Sequence, residues 1–353
     1  MCKALLALIP LAVFAADNLL PKADRSPHAP TPEQRQMIQE GVALHDRGDY
    51  DAAIAKYKQV LDAAPDEVGA LHELCFTYYA KKDYGNSLAT ARLGARYKSP
   101  LLPRFQMMIG NILDDTGKRD QAIAVYRAAI KQSPRTALLH FNLGLSLIRS
   151  GKPLNARAEL EEAVSLDPNH ASSHYQLGSL YAQMGYRIPA LLALSRFLLL
   201  EPAGERAQKA LEIVEPVVRG NVADRPDGTH ITIVQSPAGL KGEGDFDTVE
   251  FAIGIGTAAG RLDAHKGQSP FQARVDIYLL VGDVLSRMKP TGFAARYYAP
   301  FFAALHDRKF VEAFVSTAFG AKLEGASEWL AQNADKMGAF KDWLKAYQWP
   351  AAE

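Results

Sequence analysis

The sequence predicts an all-α chain of stacked helical hairpins, and three observations predict it. Residues 48–65, 117–134, 151–168 and 185–202 share one order of glycine, alanine, bulky residue and closing proline. The glycines at 117, 151 and 185 are 34 apart, and the earlier copies keep that step except for one extra residue near Pro100. Within each copy the apolar residues recur at steps of three, four and seven, which gathers them on one helix face. A fixed period of this length marks units that bury their apolar faces only by stacking on one another.

In chain order, residues 1–15 come first. They hold one lysine, an apolar run from Ala4 to Phe14 and the small pair Val13 and Ala15, the layout of a secretory signal peptide cleaved after Ala15. The run is too short to span a bilayer comfortably. Cys2 precedes it, so a lipid-anchored cysteine at the cleavage site is not expected. Residues 16–33, rich in proline and alanine, read as a flexible leader.

Residues 34–202 form five repeats. Small residues at Gly41, Cys75, Gly110, Gly144 and Gly178 are followed three positions later by Leu44, Tyr78, Leu113, Leu147 and Tyr181 on the first helix of each pair. The second helix alternates small and bulky, as in Ala53, Tyr57 and Val60 or Ala122, Tyr126 and Ala129. Small residues let two helix axes approach, and bulky ones fill the groove between neighbours. Pro65, Pro134, Pro168 and Pro202 close units because proline cannot continue a helix. The second copy departs most: Lys82, Ser87 and Gly94 replace the turn glycine, the alanine and the small apolar residue, which predicts looser packing there.

On these residues the stretch 34–202 resembles the tetratricopeptide repeat family, over close to half of the chain. The resemblance implies a right-handed superhelix of hairpins whose first helices line a concave groove for an extended peptide or a partner helix. Carried over position by position, the groove would hold Ile38, His72, Met107, Phe141 and Tyr175, then Val42, Phe76, Asn111, Leu145 and Ser179, with Arg104 and Asn142 alongside. Some family members grip a C-terminal carboxylate with lysines, arginines and asparagines at such positions. Here the lysines are missing, so that mode is not expected. The face is instead apolar and aromatic, and rigid aromatic side chains make good anchors for a partner. The competing occupant is the chain's own leader or C-terminal part, since apolar patches are usually covered.

Beyond Pro202, residues 203–218 predict a solitary helix capping the last repeat. Residues 219–244, with glycines, Pro226 and Pro237 around Thr229–Val234, read as a linker or small extended insertion. Residues 245–353 predict a helical C-terminal domain. Asp247 with Glu250 is a capping-box-like start, and Ser269 before Pro270 is a second. Phe271, Val275, Tyr278, Gly282 and Leu285 line one face of a long helix, and further helices fall near 292–305, 309–320, 326–335 and 338–347. The aromatic run 296–314 reads as core of this domain.

Composition narrows the function. Lys plus Arg number 40 against 39 Asp plus Glu, without a run of one sign, so a nucleic-acid partner is not expected. The two cysteines, Cys2 and Cys75, make neither a disulfide framework nor a paired-cysteine metal site, and Cys75 reads as a small core residue. The glycine-rich run 254–260 lacks a preceding strand, and Val249, Ala252, Ile255, Ala259 and Leu262 carry a helical stripe through it, which favours close helix packing over a dinucleotide loop. His170 and His174 are one helical turn apart, as metal ligands can be, yet His174 shares the repeat position of His140 and Leu71 and reads as packing. No cofactor is expected.

The leading expectation is therefore an exported, non-enzymatic scaffold that holds a protein or peptide in the repeat groove, within the cell envelope. The alternative is a hydrolase or envelope-modifying enzyme with its site in residues 245–353 and repeats that recruit substrate. Asp245, Asp247, Glu250, His265 and Asp276 are its polar candidates. A third is an assembly module whose C-terminal part is itself an interface.

Overall fold

Each repeat of the sequence folds as two helices joined by a tight turn, and the turn is set by one residue. The structure is a computed structural model that describes residues 20–220, 222–224, 231–233, 243–259, 267–289 and 291–351. The expectations for residues 1–15, for most of 219–244, and for Leu262 and His265 lie outside the described residues. The chain divides into two compact units, Met1–Gly151 and Lys152–Glu353.

The first unit contains α1 (Pro32–Asp46), α2 (Tyr50–Ala63), α3 (Val68–Ala80), α4 (Tyr84–Gly94), α5 (Leu102–Asp115), α6 (Arg119–Gln132) and α7 (Ala137–Arg149). Thr31 and Gln34 close a capping box at the start of α1, with Pro32 in its first turn. Gly48 then takes φ +81°, and the Asp49 side chain accepts the Ala52 amide to start α2. Lys82 stands in the equivalent turn at φ +62°, a conformation that costs an L-residue about 1–2 kcal/mol. Helix pairs meet at the small residues. A Cβ on Gly41 would lie 2.4 Å from the Tyr57 ring, and one on Gly110 would lie 2.3 Å from that of Tyr126.

Two expectations for this unit are corrected. The second hairpin is not loose: buried Ser87 donates from Oγ to the Cys75 carbonyl at 2.9 Å, and Gly94 leaves the space that the Phe105 ring fills. The leader is not free from residue 20 onward. Leu20 is buried, the Asp24 and Arg25 amides donate to the Arg96 carbonyl, and the Lys98 amide donates back to Arg25 at 2.8 Å. The His28 amide donates to Asp66 at 3.2 Å. Backbone groups of the inter-helix loops supply the partners, a signal that proline and alanine content does not carry.

The second unit contains α8 (Pro153–Leu166), α9 (Ala171–Gln183), α10 (Arg187–Leu200) and α11 (Glu205–Val218), then strands β1 (Val222–Asp224) and β2 (Ile231–Ile233) paired antiparallel. It continues with α12 (Asp247–Ala259), α13 (Pro270–Ser286), α14 (Phe293–Tyr297), α15 (Ala299–Asp307), α16 (Val311–Phe319), α17 (Ala326–Gln332) and α18 (Ala334–Ala346). Helix α10 is buried from Ile188 to Leu199, and a helix apolar all round must be covered all round. Helix α9 covers one side, and α14 and α16 pack against it too. Ser195 Oγ meets Tyr278 OH at 2.5 Å, and Tyr297 OH donates to the Val164 carbonyl at 2.6 Å. The C-terminal helices thus share a core with the last repeat helices, and the compact units divide at Gly151, not near Pro202.

Helix α12 runs unbroken through Gly254 and Gly256, where a Cβ on Gly256 would lie 2.5 Å from Leu280. Its buried side is Val249, Ile253 and Gly254, whereas Ile255 is 45% exposed, so the apolar stripe is displaced from the expected one. The helix expected over 292–305 breaks at Tyr298, with Pro300 in the first turn of α15. Phe271, Val275, Tyr278, Gly282 and Leu285 are all buried, as are Tyr297, Tyr298, Phe301, Phe302 and Phe314. Among the described residues no helix is long and apolar enough to cross a membrane.

Candidate functional site

The first helices of three successive hairpins in the first unit meet around a small polar cavity of about 100 Å³. Helix α3 supplies Tyr79, α5 supplies Asn111, Asp114 and Asp115, α7 supplies Asn142, Leu145 and Arg149, and Tyr126 of α6 closes the back. The repeat places these side chains one helical turn apart on the same face.

Hydrogen bonds fix which half of each amide faces the cavity. Tyr126 OH donates to Asn111 Oδ1 at 2.6 Å, which leaves the amino half of this cavity-lining amide as its donor. Asn142 Nδ2 donates to the Leu138 carbonyl at 2.8 Å, so its carbonyl oxygen is the group presented. One wall therefore offers a donor and the other an acceptor.

Charge on the walls is held in place. Asp114 accepts from Ser146 Oγ at 2.8 Å, Arg119 Nε at 2.9 Å and Arg149 Nη1 at 2.8 Å. Burial alone would raise its carboxyl. The hydrogen bonds of Ser146 and Arg119 and the charge of Arg149 outweigh burial and hold it below the usual range. Asp115 accepts from Tyr79 OH, and burial followed by that bond keeps the Tyr79 phenol far above its ordinary value.

The expected groove residues do different work. Phe76 is 43% exposed and stacks on His45 at 5.1 Å, which leaves an apolar ring open to a partner. Val42, Met107 and Phe141 are half-buried, and Arg104 is exposed on the first turn of α5. Ile38 packs on the core formed by Ala53, Ile54, Tyr57, Leu74 and Tyr78. The His72 ring meets Phe105 edge-on and pairs with Glu73 at 2.9 Å. In the second unit, the Tyr175 ring packs on Phe197 at 5.0 Å beneath the Arg206 guanidinium, and Ser179 Oγ is buried with no partner among the described residues. The structure thus joins Asn111, Asn142 and Leu145 in one cavity, adds Tyr79, Asp115 and Arg149 to them, and engages Ile38, His72 and Tyr175 in internal packing.

The carboxylates weighed for an enzyme do not converge. Asp245 caps the chain at the Asp247 amide, Glu250 pairs with Arg187 at 3.0 Å, and Asp276 accepts from Gln268 and Gln272. Asp276 lines a cavity of about 860 Å³ between α11, α12 and α13 in which none of the other three takes part. His174 is buried between Tyr298 OH at 2.8 Å and the Pro168 carbonyl at 3.0 Å, and burial, then the charge of Arg196, pushes it down to about 3. His170 instead pairs with Ser173 Oγ at 2.7 Å. Among the described residues no cluster of three His, Cys, Asp or Glu side chains is placed to hold a metal ion.

Sequence reading missed one polar cluster in the second unit: Arg157, Glu161, Tyr181 and Glu243. A signal for it existed. Tyr181 occupies the slot that Leu44, Leu113 and Leu147 fill in other repeats, and a buried phenol needs a polar partner.

Two family models described as tetratricopeptide repeat match the chain, one over residues 107–171 and 144–185, the other over residues 41–68. No curated protein matches it. Among solved structures, the thermophilic TPR protein TTC0263 of Thermus thermophilus is similar at 22% identity over 52% of this chain and 100% of that one, with a TM-score of 0.44. The pilF protein of Pseudomonas aeruginosa is similar at 19% identity over 52% of this chain and 84% of that one, with a TM-score of 0.45. YrrB, described as a TPR protein with an unusual peptide-binding site, is similar at 20% identity over 50% of this chain and 90% of that one, with a TM-score of 0.37.

Proposed function

Since the chain belongs to the tetratricopeptide repeat family, whose fold is in general a protein–protein interaction scaffold, we propose that it holds an extended peptide segment of a partner protein on the first-helix face of its first unit. The observation that carries this reading is the pair Asn111 and Asn142. Their free amide halves, a donor and an acceptor on walls of one cavity, complement the carbonyl and N–H of a peptide main chain. Phe76, 43% exposed and stacked on His45, offers an apolar anchor one helical turn before Tyr79 on α3. The described leader residues are bonded to loop groups at Arg96, Lys98 and Asp66, none of which lines the cavity. Among the described residues, the carboxylates weighed for an enzyme in the C-terminal part, Asp245, Glu250 and Asp276, are each engaged by separate partners, which does not favour the enzyme reading.

A photo-crosslinking residue in place of Phe76 in the full chain identifies the bound peptide, which is then synthesised and titrated. Asn111→Ala with Asn142→Ala should weaken it by about fivefold to a hundredfold, since each lost hydrogen bond is worth about 0.5–1.5 kcal/mol. Unchanged affinity in the double variant would reject the main-chain grip.

The layout of residues 1–15 supports export, with the scaffold working in the cell envelope. Mass spectrometry of the protein from its native host should then give a mature chain beginning at Ala16. A chain that retains residues 1–15 in the cytoplasm would reject export.

A further inference from the structure

The geometry points to a proton-operated clasp in the second unit: a proton on Glu161 holds residues 243–246 against α8, α9 and α14, and its loss loosens them. Tyr181 OH lies 3.0 Å from Glu161 Oε1 and 3.1 Å from Glu243 Oε2. A phenol has one hydrogen to donate, and an ionised carboxylate can only accept. Both contacts are hydrogen bonds only if one carboxyl supplies a hydrogen of its own. Glu243, 2% exposed, already receives Arg157 Nη1 at 2.9 Å and the Ala294 amide at 3.2 Å. Glu161 has Arg157 Nε at 3.3 Å, a nitrogen that makes no hydrogen bond. The hydrogen therefore belongs on Glu161.

The surroundings agree. Burial, and then the charge of Glu243, raise the Glu161 carboxyl to about 7 against the smaller opposing influence of Arg157. Arg157 is the cation between the two carboxyls, and its Nη1 also reaches Tyr186 OH at 3.4 Å. Tyr298 faces Tyr181 from the junction of α14 and α15. Glu161 also lines a cavity of about 370 Å³ with Glu162, Arg296 and Tyr297, which lets protons reach it. The clasped segment has no slack: a Cβ on Gly292, at φ +80°, would lie 2.4 Å from the Glu243 backbone. Once Glu161 ionises, two carboxylates face a single guanidinium, and the segment that carries Glu243 is the one pushed away.

The sign of the linkage is definite. The native state keeps a proton that the unfolded chain releases near 4.5, so the stabilisation is complete below that value and is lost as pH rises through about 7. His174 in the same unit acts oppositely, because its native form stays neutral while the unfolded chain protonates below about 6.5. A whole-unit melting curve mixes the two, so the test must be local.

In the full chain labelled with ¹³C-glutamate, the Glu161 carboxyl resonance, assigned by its absence in Glu161→Gln, should titrate with a midpoint of about 7. A midpoint in the ordinary glutamate range overturns the clasp. Hydrogen exchange corrected for intrinsic rate should show Ala294 amide protection falling by about tenfold per pH unit from about 4.5 up to the midpoint of about 7 and levelling off above it. Glu161→Gln, whose side-chain amide can still donate to Tyr181, should hold that protection across the same range. An equal fall in both proteins also overturns it.

Discussion

Arg157→Met should destabilise the second unit by about 3–5 kcal/mol, because removing one partner leaves buried charge uncompensated. Glu243, 2% exposed, would keep only the Ala294 amide and Tyr181 OH, and the carboxyl of Glu161 would face it without an intervening cation. The measurement is convenient, since the three tryptophans, Trp329, Trp343 and Trp349, all lie in this unit. Urea unfolding followed by tryptophan fluorescence therefore reports it alone. Adding Glu243→Gln to Arg157→Met should recover part of the loss by removing the orphaned charge. A loss below about 1 kcal/mol for the single variant would place the cluster among exposed ion pairs of little consequence.

Tyr126 has two separable tasks, so two substitutions should part company. Tyr126→Ala should cost the first unit about 3–5 kcal/mol, the usual result of emptying a buried aromatic site. The ring is 1% exposed and fills the space that Gly110 leaves open. Tyr126→Phe keeps the ring and removes only the bond to Asn111, at about 1 kcal/mol. It also frees the Asn111 amide to turn, so the affinity for the crosslinked peptide should fall while unfolding barely shifts. The first unit holds no tryptophan, and its stability is read by backbone hydrogen exchange of α5, α6 and α7. A Phe variant that binds the peptide as tightly as the parent chain would show that Asn111 is not oriented by Tyr126.

Much of the fold was legible because repeat packing is local. Gly110 and Tyr126 are 16 residues apart, the same step that separates Gly41 from Tyr57 and Gly178 from Leu194, and each pair touches. Period alone therefore carries the hairpin. Its turn was less legible, since Lys82 adopts the left-handed conformation that glycine takes in the other copies. Ile38, His72 and Tyr175 sit where a ligand-facing residue would be expected, yet each is drawn into contact with a neighbouring side chain. A position in a period specifies a face, not whether a neighbour's ring already covers it.

What the sequence determined by itself is the all-α repeat architecture, the close-packing glycines and the face that carries Asn111 and Asn142. These follow from spacings within one or two helices, where 3.6 residues per turn decides which side chains meet. Only tertiary structure decided that the last repeat helices share a core with the C-terminal ones, with apolar α10 as the seam between them. Only tertiary structure brought Glu161 and Glu243 to either side of one phenol. Contacts at such separations depend on how whole helices pack, and no local pattern of residues encodes the proton that two converging carboxyls must share.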